Sequence, residues 1–125
     1  MPPRFLQPAR QGDVLLVPVA TLAAGSPVPR DPDGSTTLAH GEVTGHRHRF
    51  ADGERTTLRR DEGDRLLLDI GPGGATLRHE EHGPATIEPA ATFAARQGLP
   101  PATAYEVRIE RDYDPALHGS HQVED

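Results

Sequence analysis

Four of the seven histidines in this chain fall in two short segments. The first segment contains His46 and His48, and the second is His79-Glu80-Glu81-His82. In an extended strand, side chains two residues apart point to the same face, so His46 and His48 point together while Arg47 and Arg49 point away. Neutral imidazole nitrogen binds zinc, iron, copper or nickel, and the pair is therefore typical of a metal site.

The second segment leaves two arrangements of donors open. If the strand runs through it, His79 and Glu81 share one face while Glu80 and His82 share the other. If the turn at Gly83-Pro84 begins early, His79 and His82 come together instead. The spacing does not match the helical His-Glu-x-x-His signature of zinc peptidases.

We therefore predict a divalent metal ion, which is zinc, iron, manganese or nickel, in a site made of histidines. Carboxylates near it are candidates for a further ligand or for a general base beside a metal-bound water. The predicted ligands are His46, His48, His79 and His82, and the candidate carboxylates are Glu42, Glu54 and Glu81. The competing interpretation is that the histidines are titratable surface groups that bind no metal.

Composition limits the partners of this site. The chain has 125 residues and no cysteine, which excludes disulfides and thiolate ligands. Its net charge is −6 and its arginines form no run, so we expect no nucleic-acid partner. No apolar stretch approaches the length of a membrane span, and the run from Val14 to Val19 is interrupted by Pro18. We expect a cytoplasmic protein that does not enter a membrane.

The pattern of elements predicts an all-β domain. Thirteen glycines and thirteen prolines favour many turns, and only 4% of the residues are aromatic, so the core is expected to be aliphatic. Residues 11–19 and 105–113 read as strands, and residues 46–50 and 56–60 as a hairpin around an Asp-Gly turn. Residues 90–97 have helix-forming composition and are followed by Gly98.

We thus expect three parts along the chain. A flexible N-terminal arm covers residues 1–10, a β-barrel domain covers residues 11–114, and a loose C-terminal tail covers residues 115–125. The domain is a small barrel or jelly roll with at most one short helix. Exposed strand edges would allow a homodimer or a protein partner.

Two motifs resemble those of the cupin superfamily. The first runs from Gly41 through His46-x-His48 to a downstream glutamate, and the second from Gly63-Asp64 through Pro72 and Gly74 to His79. The resemblance implies a double-stranded β-helix, or jelly roll, with a metal held by His46, His48, Glu54 and His79. Glu54 falls later than the usual glutamate, and His82 is then the candidate for the fourth position.

The chain also resembles short bacterial proteins of unassigned activity that carry Gly-Glu-Val-Thr-Gly-His-x-His and His-Glu-Glu-His segments. Three functions follow from these observations. The first is a binding or structural module built on a metal site, the second is a cupin-type metal enzyme acting on a small molecule, and the third is a protein-interaction module without metal. The first is preferred for a chain this short with no recognisable substrate loop.

Overall fold

The computed structural model describes residues 9–22, 24–40 and 45–110. Over these residues the chain is mostly β-sheet with one short helix, as predicted. The strands are β1 (Ala9–Gln11), β2 (Val14–Val19), β3 (Ser26–Pro27), β4 (Thr36–His40), β5 (Arg47–Phe50), β6 (Thr56–Arg60), β7 (Leu66–Ile70), β8 (Ala75–Arg78), β9 (Ala85–Ile87) and β10 (Ala104–Ile109), and the helix is α1 (Ala90–Gln97).

The strands form two antiparallel sheets. The larger has six strands in the order β1-β2-β10-β7-β6-β3, and the smaller has four in the order β4-β5-β8-β9. Over the described part of the chain the sheets do not close into a barrel. Buried aliphatic side chains from both sheets meet in one core, to which Leu16, Leu68 and Leu77 contribute fully buried side chains. The sheets therefore pack face to face.

Helix α1 covers part of this core. It buries Ala90, Phe93 and Ala94 and ends where Gly98 adopts a left-handed conformation at φ 73°. Glycine allows that conformation without steric cost, so the chain can turn directly into Leu99-Pro100. The bounds of the helix agree with those predicted from composition.

Two strand assignments differ from the sequence-based expectation. Residues 11–19 are not one strand, because Gly12 and Asp13 form a two-residue turn that joins β1 to β2. Gly12 has a φ of +58°, and glycine at the first position of such a turn suits the tight hairpins that connect twisted strands. The strand β1 also includes Ala9 and Arg10, which sequence reasoning placed in the N-terminal arm.

The second difference concerns the turn after β5. Strands β5 and β6 were expected to pair, but β5 pairs with β4 and β8 while β6 pairs with β7 and β3. The Asp-Gly turn therefore carries the chain from the smaller sheet to the larger one. The crossing lets Phe50 on β5 and Leu58 on β6 enter the core from opposite sheets.

The remaining parts of the prediction fall on the chain ends. Residues 1–8 of the expected arm and residues 115–125 of the expected tail lie outside the described residues, as do residues 111–114 of the expected domain, which include the end of the strand predicted over 105–113. Within the residues that the structure describes, no helix has the length and apolar character needed to span a membrane.

Candidate metal centre

The four predicted histidines come together at one end of the two-sheet core. Ring centroids of His48 and His79 are 4.2 Å apart, and those of His79 and His82 are 4.7 Å apart. His46 lies edge-on to His79 at 5.8 Å, and His48 stacks on His82 at the same separation. Each of the four rings thus neighbours at least one other, although the two segments are some thirty residues apart in sequence.

Strand pairing explains the meeting of His48 and His79. Strands β5 and β8 are antiparallel, with Arg49 opposite Arg78 and Phe50 opposite Leu77. Continued by one residue, this register places His48 opposite His79, and side chains at such positions are close neighbours. His48 shares the inner face of β5 with Phe50, and both are fully buried.

The position of His82 depends on where β8 ends. The strand stops at Arg78 and residues 80–82 bend, so His82 turns back toward His79. This is the second of the two arrangements that the sequence left open. The ring of His82 lies over Gly12, where an added Cβ would be 2.5 Å from the His82 Nε2 atom.

One group of donor atoms is compact enough to hold an ion. One ligand atom each from His46, His79 and Glu80 lie within 4.8 Å of one another. Ligands of a tetrahedral zinc ion at about 2.0 Å are about 3.3 Å apart, so these side chains need to close in by no more than about 1.5 Å. Sequence reasoning had not chosen Glu80, because a continuous strand would have pointed it away from His79.

His46 contributes a polar atom without a partner. Its Nδ1 is buried and, among the described residues, makes no hydrogen bond. A carboxylate oxygen of Glu81, Oε2, is 3.7 Å away, which is too long for a hydrogen bond. Buried side-chain nitrogens are normally satisfied, so this atom is a candidate for metal coordination.

His48 is held from two sides by residues that the sequence analysis did not select. Its Nδ1 is 2.9 Å from Gln11 Oε1, and its Nε2 is 3.2 Å from Asp13 Oδ1. Gln11 ends β1 and Asp13 belongs to the turn that follows it, so both come from the six-stranded sheet. A glutamine directly before a Gly-Asp turn was the available signal, but the prediction of one strand over residues 11–19 concealed the turn.

Burial governs the charge of the inner rings. It lowers the pKa of His48 from 6.5 to about 4, with a further contribution from His79, while Asp13 acts in the opposite direction. Burial, together with the nearby His82, also lowers the pKa of His79. Both rings are therefore neutral at pH 7, which is the form that binds metals.

Charged groups beside the histidines are held in place by hydrogen bonds and ion pairs. The backbone amide of Arg47 donates to Glu80 Oε1 at 2.9 Å, and this hydrogen bond lowers the pKa of Glu80 and keeps it ionised. On the outer face, the Arg47 guanidinium pairs with Asp31 and with Asp33, the latter at 2.5 Å. Arg47 thus points away from the histidines, as the alternation predicted.

The candidate carboxylates occupy different places. Glu81 lies beside His46, as described above, whereas Glu54 accepts a hydrogen bond from the backbone amide of Thr76 and lies after the opposite end of β5. The structure therefore does not bring Glu54 to the histidines. Glu42 lies outside the described residues.

Comparison with known proteins gives a family without an assigned activity. No curated protein and no solved structure matches the chain. One family model, described as a domain of unknown function, matches residues 10–97, a range that includes the β1–β2 turn and all four clustered histidines. The chain therefore belongs to the DUF8820 family.

Proposed function

We propose that this domain binds a divalent transition-metal ion through its histidine cluster and acts as a binding or structural module. The convergence of four imidazoles from two separate segments is the observation that carries this proposal. The proposed ligands are drawn from His46, His48, His79 and His82, and Glu80 provides the carboxylate.

The unpartnered nitrogen of His46 supports this proposal. A buried nitrogen that makes no hydrogen bond costs roughly 1–3 kcal/mol, and coordination to a metal ion would remove that cost. The donor set contains nitrogen and oxygen and no sulfur, which suits zinc, iron, manganese or nickel.

Metal binding requires a local rearrangement at His79. The backbone amide of Glu81 donates to His79 Nδ1 at 3.0 Å, so the neutral ring carries its hydrogen on Nε2. Coordination through Nε2 needs the opposite tautomer, and coordination through Nδ1 displaces the amide. Either route releases this hydrogen bond, so we expect residues 80–82 to move when the ion binds.

The module interpretation follows from the number of donors. Four histidines and a glutamate offer one donor more than the four that a tetrahedral shell needs, so the shell could be filled without water, and a filled shell is characteristic of structural zinc sites. We also propose that the fold is related to the jelly roll. Its two antiparallel sheets, which pack on a common core, support this relationship.

A cupin-type metal enzyme is the second candidate. It is favoured by the exposure of the outer part of the cluster, where the side chains of His46 and Glu81 are 24% and 60% exposed. A solvent-facing ion could keep one coordination position open for a small-molecule substrate, as catalytic metal sites do.

Elemental analysis of protein purified without a histidine tag tests the proposal. We expect near-stoichiometric metal in the wild type, after incubation with zinc if necessary, and its loss in the His46→Ala/His79→Ala double variant. His40→Ala removes an exposed histidine of β4 and is the matched control, which should retain the metal. Wild-type protein without metal after incubation with zinc, iron, manganese and nickel would contradict the proposal.

Thermal unfolding with and without a chelator tests whether the ion stabilises the fold, and cobalt substitution separates the two candidates. A ligand present at 100 times its Kd stabilises the native state by about 2.7 kcal/mol, so a bound ion should raise Tm by several degrees in either case. Colourless zinc can be replaced by cobalt, whose absorption spectrum distinguishes four coordination from higher coordination. A four-coordinate spectrum unchanged by added small anions supports the module, whereas a spectrum that responds to them supports the enzyme.

A further inference from the structure

The side-chain amide of Gln11 has only one possible orientation. Its Nε2 donates to the carbonyl oxygens of Leu77 at 2.7 Å and Gly83 at 3.0 Å. Both partners are acceptors, so the atom facing them must be the nitrogen and the other must be the oxygen. That oxygen lies 2.9 Å from His48 Nδ1 and can only accept, which means that Nδ1 of His48 carries hydrogen.

The other nitrogen of His48 is therefore the ligand atom of the neutral ring. Its lone pair faces Asp13 Oδ1 at 3.2 Å, and the His48 side chain is only 2% exposed. A nitrogen lone pair and a carboxylate oxygen at this distance need a cation, either a proton or a metal ion. Two ligands of tetrahedral zinc are about 3.3 Å apart, close to the separation found here.

We propose that Asp13 is a metal ligand together with His48, so that the bound ion joins the two sheets. The inference rests on the proposed metal site and adds a residue to it. His46 directly precedes β5, and His79 and Glu80 directly follow β8, so all three adjoin the four-stranded sheet. Asp13 instead lies in the β1–β2 turn of the six-stranded sheet. Gln11 is a positioning residue, because it sets the tautomer of His48.

Isothermal titration with zinc tests the role of Asp13. Asp13→Asn keeps the size of the side chain but removes its charge, and we expect its zinc affinity to be at least about 10-fold lower than that of the wild type. Asp64→Asn makes the same change at a carboxylate that is 82% exposed in the β6–β7 turn, and should bind zinc as the wild type does. If Asp13→Asn fails to fold, Asp13→Ser also removes the carboxylate and suits a turn.

Hydrogen exchange tests whether the ion joins the sheets. Zinc should slow amide exchange in residues 9–19 of the wild type and of Asp64→Asn, but not of Asp13→Asn. If Asp13→Asn binds zinc with wild-type affinity and zinc still protects its residues 9–19, the inference is overturned. The cation beside His48 is then a proton. That result leaves the proposed metal site intact, whereas a wild type that binds no zinc removes both.

Discussion

Gly12 lies directly beside the ring of His82, one of the four clustered histidines. Its φ of +58° is needed for the β1–β2 turn, and the ring of His82 occupies the space where a side chain would begin. An alanine at this position meets the far end of an exposed side chain, which can move aside. The main consequence of adding a methyl group is therefore a displaced His82.

Gly12→Ala should weaken zinc binding by several-fold while reducing stability by only about 1 kcal/mol. Gly98→Ala is the matched control, because Gly98 also has a positive φ, of 73°, and an added Cβ there meets nothing within 4 Å. Titration calorimetry and thermal melts measure the two effects. Equal zinc affinities in the two variants would show that His82 takes no part in binding.

At the scale of elements, hydrogen bonds between charged side chains and the backbone stabilise the β6–β7 turn, which lies away from the site. Asp61 Oδ1 accepts from the Arg65 backbone amide at 2.8 Å, and Asp61 Oδ2 accepts from the Arg65 guanidinium at 2.7 Å. These hydrogen bonds lower the pKa of Asp61 below its ordinary value of 3.8. The turn also contains Asp64, whose φ is +67°.

We expect Asp61→Asn to lower Tm by a few degrees at pH 7. Because the pKa of Asp61 is lower in the folded state, its charge stabilises the protein fully above pH 3.8 and loses that effect as the pH falls toward the folded value. The difference in Tm between variant and wild type should therefore shrink below pH 3.8. A difference that stays constant from pH 7 to pH 3 would mean that the charge is not its cause.

At the scale of the whole molecule, Gln11 connects the two sheets at the end that holds the histidines. It is 4% exposed, lies on the edge strand of the larger sheet, and bonds to the Leu77 carbonyl and the His48 ring of the smaller sheet. Its removal leaves buried polar groups on both partners without hydrogen bonds. Each such group costs roughly 1–3 kcal/mol.

Gln11→Leu should therefore lower the free energy of unfolding by about 2–4 kcal/mol, even in metal-free protein. Urea unfolding in the presence of a chelator measures this change. Thr57→Val makes a polar-to-apolar change at an exposed position of β6 and should alter stability by less than about 0.5 kcal/mol. If both variants were equally stable, Gln11 would not be the connection between the sheets.

Local patterns in the sequence determined the elements and the residues that could bind metal. Alternation selected His46 and His48, composition with a following glycine bounded helix α1, and the absence of cysteine restricted the donors to histidine and carboxylate. These features depend on neighbours within a few residues, so they can be read without knowing the fold. The all-β class followed from the same information.

Only the tertiary structure decided which donors meet. The β5–β8 register brings His48 to His79, and the end of β8 at Arg78 turns His82 back toward His79. The packing of the larger sheet on the smaller one adds Gln11 and Asp13, and the same crossing of the chain leaves Glu54 at the far end of β5. Sheet pairing and packing join residues that are distant in sequence, and local periodicity contains no information on those distances.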